Sequence, residues 1–111
     1  MDWASFRRRC GGRTELVNKL VRMAHQSQQA KPEQLRHMAQ AGQMQDLCMQ
    51  AHTLRGVAGN LQALRLMDLA GALEHAAHTQ SGDVLALTEQ VAVLTEQFVA
   101  ELADYARRNA N

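Results

Sequence analysis

Apolar residues recur every three or four positions along most of the chain, which is the spacing of one face of an α-helix. The longest stripe runs through Val84, Leu87, Val91, Leu94, Phe98, Leu102 and Tyr105. Shorter stripes precede it, through Leu16, Val17, Leu20 and Met23, through Leu35, Met38 and Ala39, and through Leu66, Leu69, Leu73 and Ala76. β-Branched and aromatic residues are scarce, so helix propensity is favourable nearly throughout. The pattern predicts an all-α fold.

Capping and turn residues mark where the first helices begin and end. Asp2 can cap a short helix over about residues 2–10, and Gly11-Gly12 would end it. Thr14 can then cap the next helix. We expect the short helix, which carries two aromatic side chains, to cover one end of the remaining structure.

Four further helical segments are expected after Thr14. Pro32 suits the first turn of one of them, although that segment is equally well a kinked continuation of the preceding helix. Gly42 separates it from a helix that runs to about Asn60, and the next helix covers about residues 62–80. Asp83 can cap the last one. Short connections make neighbours antiparallel, so we predict an up-down four-helix bundle over about residues 14–108, in a single domain of residues 1–111.

Length, charge and cysteine content limit the function classes. A chain of 111 residues suits one domain, and 12 Lys+Arg against 11 Asp+Glu gives a formal charge of +1. This balance lacks the basic footprint of a nucleic-acid binder, so no nucleic-acid partner is expected. No apolar run approaches the roughly 18 residues needed to cross a bilayer, so no membrane insertion is expected. Cys10 and Cys48 lack CxxC spacing and no leader peptide is evident, which predicts reduced thiols in a cytoplasmic protein.

The helix after Gly42 has two distinct faces. At about 100° per residue, its core stripe contains Leu47, Ala51, Leu54, Ala58 and Leu61. On the other side, the residues within about 60° of His52 are Gln45, Cys48, Met49, Arg55, Gly56 and Gly59. His52 should therefore face solvent.

Exposed histidines on helices usually have no function, but the two glycines beside His52 favour a functional interpretation. Glycine inside a helix costs about 1 kcal/mol relative to alanine, and a solvated face has no need to omit side chains. The omissions leave room for another protein to approach the imidazole. Arg55, one turn away, would place a positive charge beside an anion carried on the ring.

Metal binding is the weaker interpretation of the histidines. His75 and His78 are three positions apart, and Cys48 with His52 forms another candidate pair. A protein zinc site normally needs three or four ligands, so no metal site is predicted. His25 and His37 are interpreted as solvated surface residues.

The stretch "AHTLRGVAGNLQA" resembles the signature of histidine-containing phosphotransfer (HPt) domains, A-H-x-L-K-G-x-A-G-N-x-G-A. The opening "DWASFRRRCGGRTELV", the glycine ten residues before His52 and the "LxxLAxALE" run that ends at Glu74 are also similar to the family. Three positions depart from it. Arg55 replaces the usual lysine, Gln62 replaces a glycine, and Gln43 replaces a common capping aspartate.

The resemblance implies a phosphorelay intermediate of two-component signalling. His52 would accept a phosphoryl group from the aspartate of a receiver domain and pass it to another receiver aspartate, while Arg55 neutralises the phosphoryl oxygens. The implied receiver-binding residues are Gln45, Cys48, Met49, Gly56, Gly59 and Gln62. Burial is an equal alternative for Met49 and the favoured one for Cys48. Gln62 can reposition the turn or present its amide to the partner.

The implied partners are receiver domains of a hybrid sensor kinase and of a downstream regulator, with the chain itself a monomer. The sequence contains no G-x-x-x-x-G-K-[ST] loop, so no ATP site or bound cofactor is expected, and Mg²⁺ would come with the receiver. The chain is either a free-standing shuttle or one module of a hybrid histidine kinase. The alternative function is a non-catalytic helical interaction domain with the same fold.

Overall fold

The protein is all-helical over residues 1–109, which are the residues that the structure, a computed structural model, describes. Its six helices are α1 (Trp3–Arg9), α2 (Thr14–Gln28), α3 (Lys31–Gln40), α4 (Met44–Asn60), α5 (Leu64–Thr79) and α6 (Val84–Arg108). Within these residues no helix is both long and apolar enough to cross a bilayer. The predicted helix boundaries agree with the observed ones to within two residues.

Helices α2 and α3 form one kinked rod. The two residues between them, Gln29 and Ala30, both keep right-handed helical backbone angles, so the chain bends without reversing. Pro32 is buried in the first turn of α3, where its missing N–H leaves no hydrogen bond unmade. The kinked-continuation alternative is therefore correct.

The α2–α3 rod, α4, α5 and α6 are the four members of an antiparallel bundle. The 25 residues of α6 extend about 37 Å, long enough to pack against both halves of the rod and against α5. Helix α4 packs closely against α5, to which it is joined by residues 61–63. The predicted fold class is confirmed.

The caps of α1 are those that the sequence predicts. An Asp2 carboxylate oxygen accepts a hydrogen bond from the Ser5 backbone N–H at 3.0 Å. At the other end Gly11 and Gly12 have φ of +66° and +72°, a left-handed conformation that favours glycine. Thr14 was expected to cap α2 but is its first residue, because Arg13 holds the cap position and makes no side-chain capping bond.

Helix α1 covers one end of the bundle, as predicted. Phe6 is buried, and the Trp3 ring stacks on Tyr105 of α6 with 4.3 Å between centroids and an interplanar angle of 9°. The Trp3 Nε1–H donates to a Glu101 carboxylate oxygen at 2.9 Å. These contacts fix α1 in one position on the bundle.

The core contains nearly all the predicted stripes. In α6, five of the seven stripe residues are buried and the other two are half-buried. Met23 is the exception, because it is 54% exposed while Val21 is fully buried. The prediction for Met23 was wrong because the core side of α2 is centred on Val17 and Val21, so Met23 points into a groove beside α1.

A charged cluster ties α3 to α6. The Arg36 guanidinium donates two hydrogen bonds to Glu89, at 2.9 and 3.0 Å, and two to Glu96, at 2.9 and 3.1 Å. It also donates to Glu33 one turn earlier on α3, at 2.8 Å. These bonds hold the pKa of Glu89 and of Glu96 below the ordinary glutamate value of 4.5.

We expect Arg36→Gln to lower the melting temperature at pH 7 by about 2–4 °C. A depressed carboxyl pKa adds stability above the unfolded-state value, and this stability is lost as pH falls through the folded-state value. The difference between wild type and variant should therefore be full at pH 7 and shrink from about pH 5 downward. Thermal melts at several pH values measure it. Arg107→Gln, which breaks only a pair within α6, is the control, and a pH-independent difference would contradict the prediction.

Candidate functional site

His52 lies in the middle of α4, and its side chain is 63% exposed. A turn at Gly42, with φ of +72°, starts this helix, and Gln43 occupies its cap position without a side-chain capping bond. The neighbours Ala51 and Leu54 are buried in the core. All five residues of the predicted core stripe are buried, so the helix points His52 outward.

Glu74 of α5 orients the His52 ring. The distance from His52 Nδ1 to Glu74 Oε2 is 2.9 Å. An ionised carboxylate can only accept a hydrogen bond, so Nδ1 carries the proton and the neutral ring keeps its free lone pair on Nε2. Among residues 1–109, no hydrogen bond involves Nε2. Nε2 is therefore the ring nitrogen with an available lone pair.

The close α4–α5 hairpin brings these two side chains together. His52 and Glu74 each lie eleven positions from Ala63, which follows the turn at Gln62. Gly59 and Met67, each four positions from Ala63, also face each other across the hairpin. The sequence flagged Glu74 only as part of a family-like run. Its position relative to the turn is the signal that could have identified its contact with His52.

Arg55 shares the same carboxylate. Its Nη1 lies 3.3 Å from Glu74 Oε1, an ion pair without an aligned hydrogen bond. Gly71 makes room for the arginine stem, because a Cβ added there would lie 3.3 Å from Arg55 Cδ. The guanidinium thus stays one turn from His52, with Glu74 between the two side chains.

The two glycines beside His52 have different structural roles. A Cβ added at Gly59 would lie 3.0 Å from Met67 Sδ, so Gly59 allows the close approach of α5. A Cβ added at Gly56 would have no neighbour within 4 Å among the described residues outside its own helix. Internal packing explains the missing side chain at Gly59 but not at Gly56. The space beside Gly56 is open.

We expect Gly56→Ala to raise the free energy of unfolding by about 1 kcal/mol, because an exposed helical glycine is replaced by the best helix former. On the phosphotransfer interpretation of the sequence, the same methyl group should lower kcat/KM for phosphoryl transfer by about 10-fold, because it would hold a receiver away from Nε2. Denaturant unfolding and a transfer assay measure the two effects. Gly59→Ala is the matched control and should gain less stability, since Met67 must move. Equal or faster transfer by Gly56→Ala would contradict the steric role.

The other predicted contact residues differ in exposure. Gln45 is exposed and Met49 is 63% exposed, so burial does not account for Met49. Cys48 is half-buried, and its thiol donates to the Glu74 carbonyl oxygen at 3.5 Å. Gln62 has φ of +61°, which explains why the family usually has glycine there. Its side-chain amide donates to the Gly59 carbonyl at 3.1 Å and so stabilises the turn.

A groove of about 380 Å³ beside His52 contains His75 and His78 together with Cys48 and Glu74. Within residues 1–109, no three His, Cys, Asp or Glu side chains are arranged to hold a metal ion. The histidine pair therefore has no third ligand in the described part of the chain.

The fold and site together define a class of protein: a helical bundle that presents one oriented, exposed histidine beside an arginine. A model of the Hpt domain family matches residues 12–107, and the chain belongs to this family. The resemblance seen in the sequence is confirmed, except that residues 1–11, with α1, lie outside the match. No significant match was found among proteins of curated function or among solved structures.

Family membership gives the chain a general role in phosphotransfer within two-component signalling. Hpt domains in general interact with receiver domains of response regulators.

Proposed function

We propose that this domain is a phosphorelay intermediate that carries the phosphoryl group on Nε2 of His52. The observation that supports it most directly is the His52–Glu74 hydrogen bond on a side chain that is 63% exposed. A histidine with no function has no need of a half-buried carboxylate to fix its tautomer. Orientation by a carboxylate is the arrangement that makes an imidazole an efficient nucleophile.

The transfer step follows from this geometry. The Nε2 lone pair of His52 attacks the phosphorus of a receiver's aspartyl phosphate, the N–P bond forms, and the P–O bond to the aspartate breaks. The aspartate leaves as a carboxylate with the bond's electron pair. The ring becomes cationic, and Glu74 stabilises this charge through the proton that stays on Nδ1. The reverse sequence passes the phosphoryl group to the aspartate of a second receiver.

Arg55 is proposed to neutralise charge during transfer. Its contact with Glu74 is an ion pair without an aligned hydrogen bond, so the guanidinium can turn toward phosphoryl oxygens beside Nε2. Phosphoryl transfer depends chiefly on positioning and on charge neutralisation. The receiver is proposed to supply Mg²⁺ together with the carboxylates that bind it.

The proposed partners are two receivers, one of a hybrid sensor kinase and one of a downstream regulator. We propose that the domain acts as a cytoplasmic monomer that binds them in turn. One exposed face can serve both receivers because only one of them needs to contact Nε2 at a time. Of the receiver-binding residues that the sequence implies, Gln45, Met49 and Gly56 are the exposed ones.

A transfer assay tests the proposal. Purified receivers of the source organism are charged with labelled acetyl phosphate and mixed with the domain in the presence of Mg²⁺. We expect acid-labile, alkali-stable label on the domain, mapped to the peptide that contains residue 52, and its return to a second receiver. If no receiver of the complete set donates label, the chain is the non-catalytic interaction domain instead.

A further inference from the structure

Helix α1 gives one end of the molecule a concentrated positive charge. Residues 2–13 contain four arginines and one aspartate, a charge of +3, whereas the whole chain carries +1. This segment lies almost entirely outside the part of the chain that matches the family model, residues 12–107. The family match therefore does not cover most of this cluster.

Only one arginine in the last turn of α1 reaches the helix that carries His52. Arg7 lies over the Tyr105 ring, 5.7 Å from its centroid, and Arg8 donates to the Ser5 hydroxyl at 2.9 Å. Arg9 instead extends to α4, where its Nη1 donates to the Gly59 carbonyl oxygen at 3.3 Å. Gly59 follows His52 by seven residues, so it lies on the same face, about 10 Å along the axis.

The need to cap the C-terminal end of α4 does not by itself explain why Arg9 extends to Gly59. The Gly59 carbonyl already accepts the backbone N–H of Gln62 at 3.2 Å and the side-chain amide of Gln62 at 3.1 Å. Arg9 is thus a third donor to one oxygen. It is exposed and remains free to offer its other N–H groups to a partner.

The chemistry of the proposed partner complements this position. A receiver accepts the phosphoryl group on an aspartate and needs oxygen ligands for Mg²⁺, so carboxylates surround its reacting atoms. A receiver that contacts His52 and also covers the open space at Gly56 reaches toward Gly59, which lies on the same face of α4. A guanidinium at Gly59 then lies where a rim carboxylate can accept a bidentate pair.

We propose that Arg9 is a docking residue that pairs with a carboxylate at the rim of the receiver's active site and so selects among receivers. This inference rests on the proposed phosphorelay function. Because Arg9 contacts Gly59, about 10 Å along α4 from His52, it acts on encounter and binding and leaves the chemical step to other groups.

The role of Arg9 is tested by phosphoryl transfer under steady-state and single-turnover conditions. The donor is the phosphorylated receiver that transfers fastest to the wild-type domain. We expect Arg9→Glu to lower kcat/KM by about 10-fold at 50 mM salt and by less than about 2-fold at 500 mM salt, because salt screens exposed charges. The loss should lie in KM, with kcat near the wild-type value. Arg9→Lys, which keeps the charge, should restore most of kcat/KM.

Arg65→Glu is the matched control, because Arg65 is an exposed arginine on the side of α5 that faces α6. If Arg9→Glu and Arg65→Glu lower kcat/KM equally, the effect comes from net charge alone and the inference is overturned. A salt-independent loss with a lowered melting temperature, not rescued by lysine, would assign Arg9 a purely structural role. If wild type transfers and Arg9→Glu matches it, only this inference fails. If wild type takes no label, the proposed function fails as well.

Discussion

Replacing His52 by glutamine is expected to abolish phosphoryl acceptance, with a loss of at least about 1,000-fold in the transfer rate. The glutamine amide can still donate a hydrogen bond to Glu74, and its size is close to that of imidazole. Its nitrogen, however, has no lone pair available for attack on phosphorus, because that pair is delocalised into the carbonyl. Geometry and exposure are thus nearly kept while the nucleophile is removed. Labelled transfer from a phosphorylated receiver measures the loss.

The control is His75→Gln, the same change at an exposed histidine that lies beside Glu74 on α5. It should transfer at the wild-type rate. Both variants should melt within about 2 °C of wild type, because exposed substitutions rarely change stability by more than about 0.5 kcal/mol. Label retained by His52→Gln, or lost in both variants, would refute the assignment of His52.

Helix periodicity was enough to predict the orientation of α4. Its core stripe repeats at intervals of three and four residues, and any such helix must bury that side. With Ala51 and Leu54 inside, His52 can only face outward. The same reasoning placed the α6 stripe correctly, since a long amphipathic helix has one unambiguous apolar side.

Periodicity could not predict what faces His52 from the next helix. Which residue of α5 lies opposite depends on the length and shape of residues 61–63 and on how closely the two helices approach. Both depend on details such as the left-handed backbone of Gln62 and the missing side chain at Gly59. The contact with Glu74 therefore became visible only in three dimensions.

Two glycines were interpreted in the same way from the sequence, although the structure shows that they have different surroundings. Gly56 and Gly59 both lie beside His52, so both were interpreted as clearings for a partner. The contact with Met67 assigns Gly59 to packing within the hairpin, whereas no packing contact explains the glycine at position 56. Spacing on a helix face locates a residue but does not say whether its neighbour is another helix or solvent.

The Arg36 cluster was likewise invisible along the chain. Glu89 and Glu96 are 53 and 60 positions from Arg36, and they meet it only because the far half of the α2–α3 rod packs against α6. Each of these residues alone has the pattern of a solvated surface charge. The sequence thus predicted which faces are buried, and the packing decided which exposed groups meet.

The second large effect is expected at Glu74, through the tautomer of His52. Glu74→Ala removes the acceptor at Nδ1, so the proton is free to occupy Nε2 and the ring is free to rotate. We expect a loss of about 100-fold in the single-turnover transfer rate, the size of effect that follows from misplacing a reacting group by about 1 Å. Glu74→Gln should lose less than about 10-fold, because its amide oxygen can still accept the Nδ1–H.

Two measurements separate orientation from a general loss of charge. Nitrogen NMR of the imidazole should show Nδ1–H as the main neutral tautomer in wild type and in Glu74→Gln, and a mixture in Glu74→Ala. Asp68→Ala is the matched control. Asp68 is an exposed carboxylate on α5, the helix that also carries Glu74, and it lines a groove together with Arg55. If Asp68→Ala slows transfer as much as Glu74→Ala does, the carboxylates act through their charge. If Glu74→Ala keeps both the tautomer and the rate, the hydrogen bond does not position the nucleophile, and Nε2 owes its reactivity to exposure alone.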